Sequence, residues 1–591
     1  MAKPWKVALS LIALALVVLV IAVSVLIWAG FKGTHVAQGT VLELDLSAPL
    51  LEQVPDNPLA TLLMEKRMRL RDVVEALHAG AADPKVIGLV AQVVPEGIGL
   101  AGIEEVRDAV AAFRKAGKPT IAWADTFGEV TPANGAYYLA SAFDQVYIQP
   151  SGDVGLTGLE LTSLFLRGTL DKIGVSPQFS QRYEYKNAPN TFTHTAFTPA
   201  HRESMDALAG SIFDHMVAEI ARARKLTPAA LRAAIDDGPM LGEEAVRLKL
   251  VDGLLYRDEV YERVKKLAGK GGEPDLLYLR RYWQRADKPW SDGGKTIALV
   301  YGVGDVMRGA SSYDPLMGTV AMGSETVAAA LRAATEDDDV VAIVLRVDSP
   351  GGSYVASDTI YREVVRAKKR GKPVIASFGD VAASGGYFVA MAADKIVAHP
   401  MTITGSIGVF GGKLVTRDLW GKLGITFDQV QRGDHADMWS AVEPFDEDEW
   451  QKFNGWLDRV YADFTQKAAT GRHLPLARLQ ELAKGRVWSG VDARRIGLVD
   501  ELGGYDVALR LAREAAHLGR DAKVEVREYP RPRSPFEEIF GEGRDSSEEE
   551  GAQAMVRALV ALQPALRALR DAGVLGEQAP QVLRAPEVNV R

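Results

Sequence analysis

The sequence predicts an α/β protein built from two copies of one unit behind an N-terminal apolar segment. Three observations carry that prediction: an internal repeat, strand and helix signals that alternate within each copy, and an uncharged run of 22 residues from Val7 to Trp28. The repeat is the most specific of the three. Ala116–Gly158 resembles Arg370–Gly408, with the Gly-Lys-Pro triplets at Gly117 and Gly371 offset by 254 positions. Beyond a loop of different length the offset settles at 250, pairing Tyr137 with Tyr387, Asp144 with Asp394 and Gly155 with Gly405. Leu-Val-Asp at Leu250 matches Leu-Val-Asp at Leu498, offset 248. A period this long is a duplicated domain rather than a solenoid repeat.

Within a copy, Val340–Leu345 is a short β-branched run, as expected of a strand buried on both faces. Ser357–Lys369 carries Ile360, Val364 and Val365 at helical spacing, and Gly371 and Pro373 stop it. Val374 then begins the next strand. Strand, helix, strand at this spacing is a βαβ unit and implies largely parallel sheets. The expected organisation is a membrane segment over 1–35, a first domain over 36–290, a second over 291–528 and a tail over 529–591. The Gly-, Pro- and charge-rich stretch 269–295 reads as the joint. The tail reads as an acidic linker with an amphipathic helix over 552–570, a solvated appendage dispensable for any chemistry in the repeats.

The Val7–Trp28 run is long enough to cross a ~30 Å hydrocarbon core as a helix. Lys3 and Lys6 precede it, so the N-terminus is expected in the cytoplasm and the remainder outside. Trp5 and Trp28 sit where interfacial anchors belong. A cleaved signal peptide is the alternative, with a longer apolar region than usual and no clear small-x-small site after Trp28.

Composition narrows the chemistry. The 591 residues are 47% hydrophobic and 25% charged, with net charge −8 and no cysteine. That excludes thiol catalysis, Fe–S clusters and cysteine-built zinc sites. The acidic balance and the lack of long basic runs argue against nucleic-acid binding. The nine histidines form no His-Glu-x-x-His, so neither a catalytic metal nor another cofactor is expected.

Two glycine-rich motifs in the second copy are the chemical candidates. Asp348-Ser349-Pro350-Gly351-Gly352 lies at a strand end, and Ala382-Ala383-Ser384-Gly385-Gly386-Tyr387 at a strand-to-helix transition. Backbone amides in such segments can form an oxyanion hole, and a serine there can be a nucleophile. Taken alone, Ser384 reads first as a helix N-cap. Its counterpart in the first copy is Asn134, which has no nucleophilic hydroxyl. A Ser-His-Asp arrangement through His399 or His435 is the chemical rival.

These motifs, with Thr404-Gly405-Ser406-Ile407-Gly408-Val409, the anchor and the tandem copies, resemble the signal peptide peptidase A (protease IV) family in its long, two-domain bacterial form. The resemblance reaches from the anchor to about residue 510. It implies tandem ClpP/crotonase-like domains and a membrane-anchored serine endopeptidase with a Ser-Lys dyad. Its implied substrates are cleaved signal peptides and other apolar segments. It places the serine at Ser384 and the lysine at Lys186 in Tyr185-Lys186-Asn187-Ala188, where Asn187 departs from the usual small residue. It further implies Ser406 as the residue orienting the lysine and the amides of Gly352 and Gly385 as the oxyanion hole. Its other implications are a homo-oligomer, tetramer favoured, and a single-pass place in the bacterial inner membrane with the catalytic domains outside. At offset 250 Lys186 falls opposite Ala436, so one copy has lysine without serine and the other serine without lysine. A CoA-ester hydratase or isomerase of crotonase type and an inert membrane scaffold are the alternatives. The anchor disfavours the first, and retention of both dyad residues disfavours the second.

Overall fold

The computed structural model describes residues 36–53, 67–94, 98–129, 131–267, 274–291, 293–314, 319–519, 522–530, 583–584 and 589–590. The apolar run from Val7 to Trp28 and the expected helix over 552–570 lie outside them. Among the described residues no helix is long and apolar enough to cross a membrane.

Two parallel sheets repeat one strand order. The first runs Asp275–Tyr278, Thr40–Asp45, Val86–Gln92, Thr120–Ala124, Gln145–Ile148, Gly253–Leu254. In the second, Val524–Tyr529, Lys295–Val303, Val340–Ser349 and Val374–Ala383 follow in the same sense. There Lys395–Ala398 pairs with Val374–Ala383, and Glu501–Leu502 pairs with Lys395–Ala398. Ile403–Gly405 also extends from Val374–Ala383 and pairs antiparallel with Val487–Ser489. The stretch read as a joint is therefore partly sheet: Asp275–Tyr278 is the parallel partner of Thr40–Asp45.

The repeat positions do matching work. The Tyr137 hydroxyl donates to Leu250 O at 2.7 Å and the Tyr387 hydroxyl to Leu498 O at 2.9 Å. Asp144 accepts from Thr120 N as Asp394 accepts from Val374 N, at 3.0 and 2.8 Å. Asp252 and Asp500 accept from Val146 N and Ile396 N, at 2.7 and 2.8 Å. The shared Leu-Val-Asp triplets thus bind a strand start through the Asp and the buried tyrosine through the Leu carbonyl.

Period-2 alternation explains the unbroken apolar strands. Ala298, Val300, Ile343, Leu345 and Ala376 face Val327, Leu331, Ile360 and Val364 of the second copy's own helices. Leu299, Val344, Ile375 and Val397 face the other way, into a core continuous with the first copy. Both faces are covered, so no polar alternation is possible.

Polar groups lock this inter-copy layer. Asp380 Oδ1 accepts from Ala101 N and Gly102 N, at 2.8 and 3.2 Å, at the start of helix Leu100–Lys115. Gly99 admits that approach, since a Cβ there would lie 2.1 Å from the Asp380 carboxyl. Arg346, fully buried, donates to Glu52 at 2.7 Å and Ser377 at 2.9 Å, and pairs with Glu105 at 3.4 Å. Removing one partner of such a cluster strands buried charge. Arg346→Ala is expected to cost about 3–5 kcal/mol, read from urea denaturation.

The tail is not wholly an appendage. Leu583–Arg584 pairs antiparallel with Gly351–Gly352, and Asn589–Val590 with Leu161–Thr162.

Candidate active site

Strand Val374–Ala383 ends at Ser384, and helix Gly385–Ala390 begins directly after it. Ser384 holds φ +56° and ψ −115°, a strained conformation for a residue with a Cβ, costing ~1–3 kcal/mol. Its N–H donates to Gly405 O at 2.8 Å, and its carbonyl accepts from Phe388 N at 2.9 Å. The side chain makes no capping hydrogen bond, so the N-cap reading of this serine does not hold. Oγ is left for another partner.

That partner arrives from the first copy. Strand Ser176–Gln181 pairs antiparallel with Phe410–Val415 of the second copy. Gly412, at φ +155°, makes the pairing fit, because a Cβ there would sit 2.1 Å from Gln178 O. The chain continues through Arg182, whose N–H donates to Val409 O at 2.8 Å, and Tyr185, whose N–H donates to Lys484 O at 3.2 Å. Lys186 is thereby carried, fully buried, into the second copy.

Lys186 Nζ lies 2.7 Å from Ser384 Oγ, 3.0 Å from Ser406 Oγ and 3.1 Å from Ser406 O. Ser406 is pinned in turn, at φ +49°, by its N–H donating to Arg486 O at 2.7 Å. Among the described residues no carboxylate pairs with Nζ. Burial alone pushes the ammonium well below the ordinary lysine value. A neutral amine has two N–H groups and one lone pair. The two Ser406 oxygens can accept both N–H groups, which leaves the lone pair for the Ser384 hydroxyl.

Gly352 and Gly385, drawn from the two motifs, abut one another. A Cβ at Gly385 would lie 2.9 Å from Gly352 N. Gly351 and Gly352 both have positive φ, +108° and +154°. A side chain at Gly385 would collide with the Gly352 backbone, so the two motifs meet there only through glycine.

The histidine rivals are engaged elsewhere. His399 Nε2 lies 3.0 Å from Glu105 Oε2 in the buried inter-copy cluster, and His435 Nε2 pairs with Asp448 at 3.0 Å. Asn134, the counterpart of Ser384, holds its own loop: Oδ1 accepts from Thr157 N and Gly158 N, and Nδ2 donates to Gly158 O.

A sequence model of peptidase family S49 matches twice, over residues 112–270 and 366–519. The chain belongs to peptidase family S49. It is similar to the chloroplastic serine protease SPPA of Arabidopsis thaliana, 30% identical over 86% of this chain and 73% of that one. It is also 30% identical to Protease 4 of Haemophilus influenzae, over 88% of this chain and 87% of the relative. Among solved structures, a point mutant of ClpP1 from Listeria monocytogenes covers 36% of this chain and 94% of its own, at 16% identity and TM-score 0.23. This S49 chain is a serine peptidase with a duplicated domain of mixed α/β fold.

Sequence reasoning gave no role to two glycines that pack against Lys186, Gly408 within a quoted motif and Gly485 outside any. Gly485, at φ +81°, would place a Cβ 2.5 Å from the backbone of Lys186, and Gly408 would place one 3.2 Å from Lys186 Cδ. Gly485 stands in Lys484-Gly485-Arg486, which carries no recognisable motif; its positive φ is the only signal, and that is invisible in sequence. Gly485→Ala is expected to shift Lys186 off Ser384 and lower kcat by ~10²-fold, the cost typical of a ~1 Å misplacement, measured by steady-state kinetics.

Proposed function

We propose that this peptidase works through Ser384 as nucleophile and Lys186 as general base. Ser406 orients the amine, and the amides of Gly352 and Gly385 stabilise the oxyanion. The single observation that supports this reading best is the 2.7 Å approach of Nζ to Oγ, with the other Nζ contacts both on Ser406. In the acylation step the Ser384 proton moves to Nζ as Oγ bonds to the scissile carbonyl carbon. The carbonyl oxygen takes up negative charge against the two glycine amides. Collapse breaks the C–N bond, and the Lys186 ammonium returns its proton to the leaving amine. Water then repeats the sequence on the acyl-enzyme, giving up one proton to Nζ and restoring the serine.

We further propose tandem ClpP/crotonase-like domains, over 36–290 and 291–528, in which the first supplies the base and the second the nucleophile. Val7–Trp28 anchors the protein in the bacterial inner membrane with both domains outside, as a homo-oligomer, tetramer favoured. The substrates are signal-peptide remnants and other apolar segments, which an anchored site meets at the bilayer. The repeat asymmetry and the motif resemblance support this reading.

The test is a serine-directed fluorophosphonate followed by peptide mass mapping. The expected adduct sits on Ser384 and is lost in Lys186→Ala. An adduct on another serine, or none in an active preparation, overturns the assignment.

A further inference from the structure

Helix Glu447–Gly471 opens on a capping box. Asp446 Oδ1 accepts from Glu449 N at 2.7 Å, and Glu449 Oε2 accepts from Asp446 N at 3.1 Å. Each carboxylate spends one oxygen on the helix end and keeps the other for a further partner. Asp446 is exposed, so water serves its second oxygen. Glu449 differs: it is 2% exposed, and its Oε1 is buried with no hydrogen-bond partner among the described residues. A buried carboxylate oxygen in that state is costly unless a cation or a proton meets it.

His435 reaches the same place from the preceding loop. Its Nε2 lies 3.0 Å from Asp448 Oδ2, and its Nδ1 is buried without a partner among the described residues. An Nε2–H donated to Asp448 leaves the lone pair on Nδ1, the arrangement in which a carboxylate orients a metal-ligating imidazole. One ring nitrogen of His435 and one oxygen each of Asp446 and Glu449 lie within 4.8 Å of one another. Bonds of ~2.1 Å hold tetrahedral ligands about 3.4 Å apart, so binding asks for a small closing movement. His435 and Asp446, neither of them buried, can supply it. The nearby lysines are engaged with other groups. Lys413 Nζ donates to Met438 O at 2.8 Å and stands over the Phe445 ring, while Lys452 pairs with Asp448. The helix N-terminus carries about half a positive charge, which the two carboxylates outweigh.

We propose that His435, Asp446 and Glu449 bind one divalent first-row transition ion of the zinc class, with Asp448 orienting the imidazole. One nitrogen and two carboxylate oxygens suit such an ion, whereas Mg²⁺ and Ca²⁺ take oxygen ligands. The ion is a clamp and takes no part in peptide hydrolysis, since none of its ligands touches Ser384 or Lys186. It ties the loop at His435 to the start of helix Glu447–Gly471. Within the clamped segment Phe445 N donates to Gln178 Oε1 at 2.8 Å, on strand Ser176–Gln181 of the first copy. The clamp therefore stiffens the seam along which the first copy reaches the second.

The test is calorimetric titration of the EDTA-stripped full chain with ZnCl₂ in neutral buffer. The expected result is one tight equivalent, weakened at least ~30-fold in His435→Ala and in Glu449→Gln, and about ten-fold in Asp448→Asn. Glu449→Gln retains an acceptor for the capping box, and His435 lies in a loop, so both variants keep the fold. His517→Ala, at an exposed histidine elsewhere, is expected to bind as the wild type does. Zinc at about 100 times its Kd is expected to raise the wild-type melting temperature by ~3 °C and to leave His435→Ala unmoved. Binding unchanged in both ligand variants, or no equivalent tighter than ~100 μM, overturns the proposal. Equal competition by Mg²⁺ also overturns it, because the imidazole then plays no part. A Glu449→Gln that melts above a zinc-free wild type, with no zinc bound by either, identifies a buried neutral acid in place of a metal ligand.

Discussion

Ser384→Ala and Lys186→Ala are each expected to lower kcat by about 10⁴–10⁶-fold, and the double variant to be no slower than either single one. Under the proposed dyad the serine has no other base among the described residues: Oγ meets Nζ at 2.7 Å, and both histidine rivals are held by carboxylates elsewhere. An amine without its serine likewise has no bond-forming atom. Two residues acting as one unit lose the whole effect on the first deletion, so additive losses mean that a second base or nucleophile exists. Single-turnover kinetics on a short peptide with all three variants makes the measurement, alongside thermal melts to show that each is folded. Ser406→Ala belongs in the series with a smaller expected loss, about 10–100-fold. It removes one acceptor, but the Ser406 carbonyl at 3.1 Å still holds the amine.

The sequence made the second copy legible because its chemistry is local. Ser384 sits in a contiguous motif, and the strands Val340–Ser349 and Val374–Ala383 announce themselves by β-branched runs. Helix Tyr354–Lys369 begins three residues before the stretch read for it, since the Ser353 side chain caps it by accepting from Ala356 N. The paired aspartates and tyrosines of the repeat were visible as identities, and the structure supplies the hydrogen bonds that require them. What spacing could not reveal is the meeting of Lys186 with a serine 198 residues away. The strand that leads to it, Ser-Pro-Gln-Phe-Ser-Gln, is polar and half-buried on both faces, so no periodicity marks it. Asp380 was equally hidden. An aspartate four residues before Ser384 reads as solvated until helix Leu100–Lys115 of the other copy is placed against it. The tail escaped for the opposite reason. Its acidic, serine-rich composition reads as unstructured, while its two short pairings are made by main chain and leave no pattern of side chains.

Activity is expected to rise with pH through the depressed value of Lys186, and Lys186→Arg to stay inactive over the whole range. As the proposed base Lys186 works only as the neutral amine, and burial disfavours the charged form at a position with no exposed surface and, among the described residues, no paired carboxylate. A guanidinium in its place never deprotonates in water's usable range, so no increase of pH rescues it. The same burial has a thermodynamic sign. The unfolded chain holds its lysine proton up to the ordinary value near ~10.4, while the folded chain has already released it. Between the folded and unfolded values the unfolded state binds more protons, so this residue's contribution to stability improves as pH rises through that window. Below the folded value the ammonium must stay buried, and its full desolvation cost falls on the native state. Lys186→Met fills a similar volume without that charge, and is expected to melt at a higher temperature than the wild type at neutral pH while having no peptidase activity. The difference in melting temperature should shrink as pH is raised. A pH–rate profile and a matched set of melting curves for wild type, Lys186→Arg and Lys186→Met test both halves. Turnover by folded Lys186→Arg near neutral pH would transfer the role of base to another group. A melting difference that grows with pH would mean that Lys186 is buried as the ammonium.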